Sequence, residues 1–422
     1  MVARSVSSHE DNDDPNSVHH PPPDGGLPAY LSVLSGFLVI MNTWGLIISF
    51  GVFQTYYVSS LGQSRSDVAW IGSITVFLLF FGGILSGRLT DAGHFRVAVT
   101  LGAILLVLGT FMTSLCTEYW QLILAQGVCV GLGNGLLSTP HLTVISTYFN
   151  KRLPLALGTV ACGSVTGGLI YPSMARVLLP SIGFGWTMRS IGFIQLATLA
   201  IALGVVRPRA RPVAGTRLLV DWGAFKELEF TLYFIGVFLA YLGVFFPFFF
   251  LTSYAREKQG MSYVDALNLL LVLNGIGFIA RLFPSLLSAY FGTLNTFIGL
   301  VFASSLCIYT WIAVQSLDGL YVWTAFYSMS VGGVQSLFPA AVTSLSPDRS
   351  KLGSQMGIIS SAVGVRALIG PPISGQLISI SGGSYVPAQV FAGSAFAAGC
   401  GLMFQAREVR RKKRSGQLLS KL

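Results

Sequence analysis

Charged residues are scarce in this chain, and acidic residues are the scarcest of them. Only 10% of the 422 residues are charged, whereas a soluble domain carries about 25%. The 16 aspartates and glutamates all lie outside the middle of an apolar segment. This shortage excludes an ordinary soluble globular domain. The chain instead consists mainly of twelve apolar segments, each roughly 20 residues long, between residues 30 and 404.

Groups for catalysis or nucleotide binding are also sparse. No GxxxxGK[ST] loop is present, so the sequence does not predict ATP hydrolysis as an energy source. A membrane-embedded enzyme would need carboxylates, histidines or metal ligands at depth, and His141 is the only histidine within an apolar segment. The five cysteines are scattered, with no CxxC spacing and no cysteine–histidine cluster. We therefore expect no enzyme activity, cofactor, metal site or disulfide framework.

The apolar segments have the length of membrane-spanning helices. A helix rises about 1.5 Å per residue, and about 20 residues cross the hydrocarbon core, where the backbone must satisfy its own hydrogen bonds. We predict spans at 28–52, 68–88, 97–116, 120–142, 153–175, 187–206, 230–252, 264–287, 293–315, 321–342, 354–378 and 385–404.

Positive charges mark one side of these spans. The even-numbered turns, the central loop and the C-terminal tail are rich in lysine and arginine. The opposite side shows only Arg65, Arg176, Arg189, Arg256 and Lys258. Because positive residues favour the cytosolic side, both termini are expected in the cytosol. The net charge of +10 thus indicates topology rather than nucleic-acid binding, and the basic tail also suits contact with anionic lipid.

A weak internal repeat divides the chain. Each of three residues recurs 199 positions later, namely Pro140 as Pro339, Gly158 as Gly357 and Pro172 as Pro371. The repeat predicts an all-α integral membrane protein of twelve transmembrane helices in two six-helix bundles. The expected divisions are a disordered cytosolic N-tail (1–27), two bundles (28–206 and 230–404), a cytosolic central loop (207–229) and a basic cytosolic C-tail (405–422).

The turn after the second span carries a family motif. Residues 87–96 read GRLTDAGHFR, a glycine followed four residues on by an aspartate and then by basic residues. This resembles the signature loop of the major facilitator superfamily, which implies a secondary transporter working by alternating access. Gly87, Asp91 and Arg96 would then form a conformational latch. Ala92 and His94 depart from the family pattern, and a solvated polar turn is the alternative interpretation.

A longer set of motifs resembles one family within that superfamily. Asp24-Gly25-Gly26 opens the first span, and residues 148–158 read YFNKRLPLALG. Both look like hallmark sequences of the monocarboxylate transporter family. Similarity to its fungal branch extends over nearly the whole hydrophobic region, through NTWG at 42–45, FGVFQ at 50–54, GLGNG at 131–135 and IGPPISG at 369–375. The resemblance implies a small-molecule organic anion as the substrate.

Two positions distinguish the chain from animal members of that family. Those members carry a lysine in the first span, and an aspartate four residues before an arginine in the eighth. Here Ile48 lies close to the lysine position, Gly277 replaces the aspartate, and Arg281 matches the arginine. Proton-coupled lactate transport is therefore not expected to carry over.

Arg281 and Arg366 are cations within predicted spans. An arginine at mid-span costs on the order of 2.5–3.5 kcal/mol to insert, so it normally faces a cavity or a partner. Arg281 has no acidic residue at comparable depth in its own helix, and its guanidinium suits a ligand carboxylate or enolate. Snorkelling to the surface or bonding to backbone carbonyls is the alternative. Arg366 precedes the Gly370-Pro371-Pro372 break, whose freed carbonyls can accept its donors. Together with Arg281 it is also a candidate for binding the substrate, because two cations without buried acids favour a cavity that attracts anions.

Four amides and a histidine complete the candidate site. Asn42, Asn134, Asn274 and Gln335 lie in the first, fourth, eighth and tenth spans, which border the central cavity in the superfamily that the chain resembles. Hydrogen bonding between helices is the alternative role. His141 either titrates near neutral pH and serves proton coupling, or stays neutral and bonds a carbonyl.

The sequence thus predicts a multi-pass transporter that exports an organic acid or an acidic secondary metabolite across the cell membrane. An uptake carrier for a monocarboxylate or vitamin is one alternative, and a non-transporting sensor of the same fold is another. The vacuolar membrane is the alternative location. We expect a monomer in the lipid bilayer that binds no nucleic acid and has protons as its candidate coupling ion.

Overall fold

The computed structural model describes residues 24–149, 152–208, 222–345 and 352–414. These parts of the chain are helical and contain no strand. The helices are α1 (Leu27–Ile48), α2 (Phe50–Leu61), α3 (Arg65–Asp91), α4 (Phe95–Thr113), α5 (Tyr119–Leu122), α6 (Gly131–Tyr148), α7 (Leu153–Val205), α8 (Leu228–Val244), α9 (Phe246–Gln259), α10 (Tyr263–Phe291), α11 (Thr293–Trp311), α12 (Leu317–Leu345), α13 (Leu352–Ile380) and α14 (Val386–Arg414). A π-helical stretch, Ile123–Val130, joins α5 to α6. The predicted N-tail up to residue 23, the central loop over 209–221 and the C-tail from 415 lie outside the described residues.

Twelve crossings can be counted in the described parts. Ten helical stretches are long and apolar enough to cross a membrane. One of them, Ala156–Val205, has 50 residues, or roughly 75 Å of helix, which is more than twice the hydrocarbon thickness. The chain bends within it at Gly183, whose φ of 74° is one that residues with a side chain rarely adopt, so it makes two crossings. Helix α12 adds one more. The predicted all-α membrane fold of twelve helices is confirmed.

An apolar stripe on α4 faces outward. Val97, Leu101, Ile104, Leu108 and Met112 recur at intervals of three or four residues, and each is about half exposed. Water would disfavour such a stripe, whereas the hydrocarbon of a bilayer accommodates it. The stripe therefore marks a lipid-facing surface.

The first and seventh crossings are interrupted near their middle. The Ser49 hydroxyl, between α1 and α2, donates a 2.7 Å hydrogen bond to the Gly45 carbonyl, a contact that bends helices. Between α8 and α9, Pro247 in the first turn of α9 has no N–H to continue the helix. The first crossing runs to Leu61, beyond the predicted end at residue 52, because polar residues such as Gln54 extend the helix past its apolar run.

The helices fall into two sets of six crossings, called here the N-half (α1 to α7) and the C-half (α8 to α14). In the N-half α1 packs mainly on α7 and α3 on α6, while in the C-half α8 packs on α14 and α10 on α12. The prolines of the sequence repeat occupy equivalent crossings of the two halves. Pro140 in α6 and Pro339 in α12 lie in the fourth crossing of each half, and Pro172 in α7 and Pro371 in α13 lie in the fifth. The halves meet along α3 and α13, α7 and α10, and α2 and α9.

Glycines allow α1 and α7 to touch backbone to backbone. A Cβ atom on Gly163 would lie 2.2 Å from the Phe37 carbonyl oxygen, and one on Gly167 would lie 2.2 Å from that of Met41. Any side chain at either position would push the helices apart. The abundant glycine thus serves close helix packing at this contact, as in other membrane proteins.

Candidate functional site

Arg281 lies at the centre of a polar group on α10 and α12. Its Nη1 donates to the carbonyl oxygen of Gly277 at 3.2 Å, and its Nη2 donates to Oε1 of Gln335 at 3.3 Å. Arg281 lies 18 residues after Tyr263, the first residue of α10. Gln335 likewise lies 18 residues after Leu317, the first residue of α12. Because α10 and α12 cross in the same direction, the two side chains sit at the same depth. The structure thus brings together two residues predicted separately from the sequence.

This polar group faces the other half of the molecule. A Cβ atom on Gly277 would lie 3.2 Å from Nη1 of Arg281, 3.7 Å from the Ser328 hydroxyl and 4.0 Å from a methyl of Val165 on α7. One turn earlier on the same face, Asn274 donates a 3.0 Å hydrogen bond to the carbonyl of Gly168 on α7. The face of α10 that carries Arg281 therefore lines the contact between the halves. We call Arg281, Gly277, Gln335, Ser328 and Val165 the Arg281 site.

The Arg281 site contains donors suited to an anion. The two described bonds of Arg281 are longer than the usual 2.9 Å or so of an N–H···O bond, so a carboxylate that offers shorter, charge-assisted bonds can replace them. Gln335 accepts from Arg281 through Oε1, which directs its Nε2 elsewhere. That Nε2 is buried and has no hydrogen-bond partner among the described residues. A guanidinium and an amide donor at one depth can together hold a carboxylate or an enolate.

Arg366 lies away from this site, inside the C-half. Its side chain is fully buried, its Nη1 donates to the carbonyl of Val237 at 2.8 Å, and its guanidinium carbon lies 3.8 Å from the ring centre of Tyr241. Both partners belong to α8, so the carbonyl that accepts is not one freed by the proline break at residues 370–372. The contacts fasten α13 to α8 by a hydrogen bond and a cation–π interaction.

Asn42 is enclosed within the N-half. Its Nδ2 donates to the Leu38 carbonyl at 2.7 Å and to the Thr198 hydroxyl at 2.9 Å, and its Oδ1 accepts from Tyr171 at 2.7 Å. The amide thus joins three crossings and does not reach the Arg281 site. Asn134 on α6 is also fully buried, and neither atom of its amide has a partner among the described residues.

His141 is buried on α6. Its Nδ1 lies 2.7 Å from the Leu137 carbonyl oxygen and its ring packs on that of Phe95. Because the carbonyl only accepts, Nδ1 carries the proton of the neutral ring. Nε2 has no partner among the described residues, so it is the nitrogen available to take up a further proton.

The signature loop joins α3 to α4. Arg96 is exposed in the first turn of α4, and a Cβ atom on Gly87 would meet only a methyl of Thr139, at 3.8 Å. The side chain of Asp91 lies outside the described residues, so the latch that was predicted from these three positions stays a prediction.

The two hallmark sequences touch each other. The backbone N–H of Asp24 donates to the carbonyl of Tyr148 at 3.1 Å, and the backbone N–H of Arg152 donates to the Asp24 carboxylate at 3.3 Å. Asp24 therefore ties the start of the first crossing to the turn between α6 and α7.

Several contact residues were not predicted from the sequence, among them Ser328, Tyr171 and Tyr241. Each lies on a different helix from the residue it contacts. No spacing along the chain reveals such pairs, and only the packing of the crossings brings them together.

Comparison with known proteins identifies the family. Residues 33–350 match the family model described as Major Facilitator Superfamily. An MFS-type transporter of Gibberella zeae is 45% identical over 404 residues, which cover 95% of this chain and 91% of the relative. The aspyridones efflux protein apdF of Emericella nidulans is 32% identical over 415 residues, covering 96% and 84%. The MFS-type transporter dbaD of the same organism is 36% identical over 360 residues, covering 85% and 81%.

A solved structure agrees with the fold. The crystal structure of a peptide transporter POT in complex with sulfate superposes with a TM-score of 0.71 at 14% sequence identity, over 92% of this chain and 96% of that one. At this identity the likeness concerns the fold alone. The family match and the relatives show that this chain belongs to the Major Facilitator Superfamily and is a multi-pass membrane transporter rather than an enzyme.

Proposed function

We propose that this transporter exports an acidic small molecule, either an organic acid or an acidic secondary metabolite, by alternating access. The observation that carries the proposal is the Arg281 site, where a guanidinium and an amide donor lie at one depth on the face of α10 that meets the N-half. Transporters of this fold bind substrate between their halves. An anion bound there would contact both halves, so its binding would be coupled to their relative movement.

The chemistry of binding follows from the geometry of the site. A substrate carboxylate takes the guanidinium donors in place of the Gly277 carbonyl and the Gln335 oxygen, and its second oxygen accepts from Gln335 Nε2. In the bound state the substrate anion is in contact with the guanidinium cation of Arg281. This contact lowers the free-energy cost of either charge in a low-dielectric region.

Flux through proteoliposomes that contain the purified protein tests this proposal. We expect efflux of a carboxylic acid substrate well above that of protein-free liposomes, and slower efflux of its methyl ester. Equal rates for the acid and the ester would contradict the anion site.

Export is favoured over uptake by one relative, whose name describes efflux. Uptake of a monocarboxylate or a vitamin remains the alternative, and a non-transporting sensor is the second. Flux in the reconstituted system separates a carrier from a sensor, and accumulation of the compound by whole cells separates uptake from export.

Membership of the monocarboxylate transporter-like group is part of the same proposal. It is supported by the contact between Asp24 and the motif that begins at Tyr148. We also propose the domain boundaries predicted above, with bundles at 28–206 and 230–404 joined by the loop at 207–229. The cell membrane is the proposed location, with the vacuolar membrane as the alternative.

The proposed topology has both termini and the central loop in the cytosol. An epitope tag inserted after Arg217 should remain unlabelled in intact cells and become labelled after permeabilisation, because the arginines around it follow the positive-inside bias. Labelling of intact cells from outside would reverse the orientation.

His141 is the proposed proton-coupling residue. Transport stimulated by a pH gradient should lose that stimulation in His141→Gln, because the glutamine fills similar space but does not titrate near neutral pH. The measurement is the initial rate with and without the gradient in vesicles. A gradient dependence that is unchanged in His141→Gln would remove this candidate.

A further inference from the structure

Three side chains join the two halves at the end of the molecule opposite Asp24 and Arg414, the first and last described residues, and this end is called here the distal end. Arg65 begins α3, Glu257 lies in the last turn of α9, and Tyr385 directly precedes α14. Arg65 Nη2 lies 2.5 Å from Glu257 Oε2, and the Tyr385 hydroxyl donates to the same oxygen at 3.1 Å. The Arg65 guanidinium also stands 6.0 Å from the ring centre of Tyr385. We call these three residues the distal lock.

Further hydrogen bonds cross the seam between the halves below the distal lock. They join the hydroxyls of Thr55 and Ser253 at 3.1 Å, the Tyr263 hydroxyl and the Val52 carbonyl at 3.0 Å, and the Ser66 hydroxyl and the Pro372 carbonyl at 3.0 Å. Backbones also meet at this seam, because a Cβ atom on Gly51 would lie 2.4 Å from the Phe248 carbonyl oxygen. The distal end is closed in this structure.

Buried polar groups without a described hydrogen-bond partner lie next to residues of the closed seam. Both atoms of the Gln54 amide and the hydroxyls of Ser73 and Thr252 are buried without a hydrogen-bond partner among the described residues. Gln54 adjoins Thr55, Thr252 adjoins Ser253, and Ser73 adjoins Gly72, which packs on Phe249. If water reaches these neighbouring groups when the seam opens, the hydrogen bonds that they gain to water favour the open state.

We propose that the distal lock holds the distal end closed against this tendency, and that its release is the step that opens the transporter on that side. Glu257 is the hub, since it accepts from the other two residues. Arg65 supplies the charge from the N-half, and Tyr385 orients the carboxylate. The distal lock favours the closed seam, and hydration of the neighbouring polar groups favours the open one. Because both contributions are modest and oppose each other, the seam can adopt either state, as a transport cycle requires. The distal lock acts on the conformational equilibrium whatever substrate is carried.

A cysteine reporter in the seam tests the proposal. Ser253→Cys is introduced into the full-length chain after its five native cysteines have been replaced by serine. The purified protein in lipid nanodiscs exposes both faces, so the result does not depend on topology. The measured quantity is the rate of labelling by a water-soluble maleimide, which reaches residue 253 only when the distal end opens.

Removal of the lock should accelerate labelling. We expect about a fivefold increase in Glu257→Gln, since a partly exposed ion pair contributes modestly and is screened by solvent. Tyr385→Phe should give a smaller increase, because it removes only the hydroxyl contact. Arg65→Glu should give the largest, because like charges then face each other. The exchanged pair Arg65→Glu with Glu257→Arg should return the rate to near the parental value.

Lys258→Gln is the matched control, since it removes a neighbouring exposed charge that is not part of the lock, and it should leave the rate unchanged. Recovery in the exchanged pair shows that the single variants act through the ion pair and not through misfolding. The proposal is overturned if the single variants label at the parental rate, or if the exchanged pair labels as fast as Arg65→Glu.

Discussion

Arg281→Ala is expected to reduce transport of an acidic substrate by about tenfold to hundredfold. A hydrogen bond to a charged group contributes about 1.5–3 kcal/mol, and about 1.4 kcal/mol corresponds to a factor of ten. The variant should still insert, because it removes a cation that is costly to place in the membrane. The measurement is the initial rate of transport divided by the amount of protein at the surface.

Two comparisons isolate the role of the charge. Arg281→Lys should recover only part of the rate, because an ammonium offers a point charge in place of a planar fork. An uncharged analogue of the substrate should be carried at similar rates by wild type and by Arg281→Ala. Equal transport of the acid by both proteins would leave Arg281 with a structural role alone.

Gly277→Asp is expected to have the second largest effect, a fall of about tenfold or more in acid transport. A Cβ atom at residue 277 would lie 3.2 Å from Nη1 of Arg281, which is the flexible end of a long side chain and can give way. The new carboxylate would then pair with the guanidinium one turn away and occupy the place of the substrate anion. The transport assay is the one used for Arg281→Ala.

Gly277→Asn is the matched control, because asparagine has the same size as aspartate but no charge. It should retain most of the acid transport that Gly277→Asp loses. If both variants lose transport equally, the effect is steric, and the glycine serves helix packing rather than anion binding.

The membrane fold was predictable because its determinants are local in the sequence. Apolar length identifies a crossing without knowledge of its neighbours, and the prolines that recur after 199 residues, Pro140 and Pro339 among them, identify the duplication. The predicted single span at 153–175 ended too early, since the helix continues to Gly183, where the backbone turns. The first crossing is interrupted at Ser49, where a side-chain hydrogen bond bends the helix, and the seventh at Phe245, just before Pro247. The length of an apolar segment predicts neither interruption.

The site was predictable only in part. An arginine within an apolar run is conspicuous, which is why Arg281 and Arg366 were both candidates. Arg281 faces α12 and the N-half, whereas Arg366 faces α8, so the two arginines have different environments. A helix that is apolar on every side gives no pattern from which its rotation can be inferred. For the same reason the sequence did not distinguish Asn42, enclosed by three crossings, from Gln335 beside Arg281.

The distal lock had no counterpart in the sequence interpretation. In the sequence Arg65 is only one positive charge on the sparsely charged side, and Glu257 is separated from it by nearly two hundred residues. Their pairing depends on how the halves close on each other. This ion pair forms in one conformation of the transporter. Because the sequence must be compatible with every conformation of the transport cycle, its pattern does not identify a contact that forms in only one of them.

The partition of acidic metabolites between cells and medium tests the central claim most directly. It is measured in a strain of the source organism that lacks this gene, after complementation with wild type, with Arg281→Ala, or with an empty vector. We predict that one carboxylic or enolic acid accumulates inside the empty-vector strain and is depleted from its medium. Wild type should restore secretion, and Arg281→Ala at equal abundance should not. An unchanged partition of every acidic compound across the three strains would contradict export of an acid through the Arg281 site.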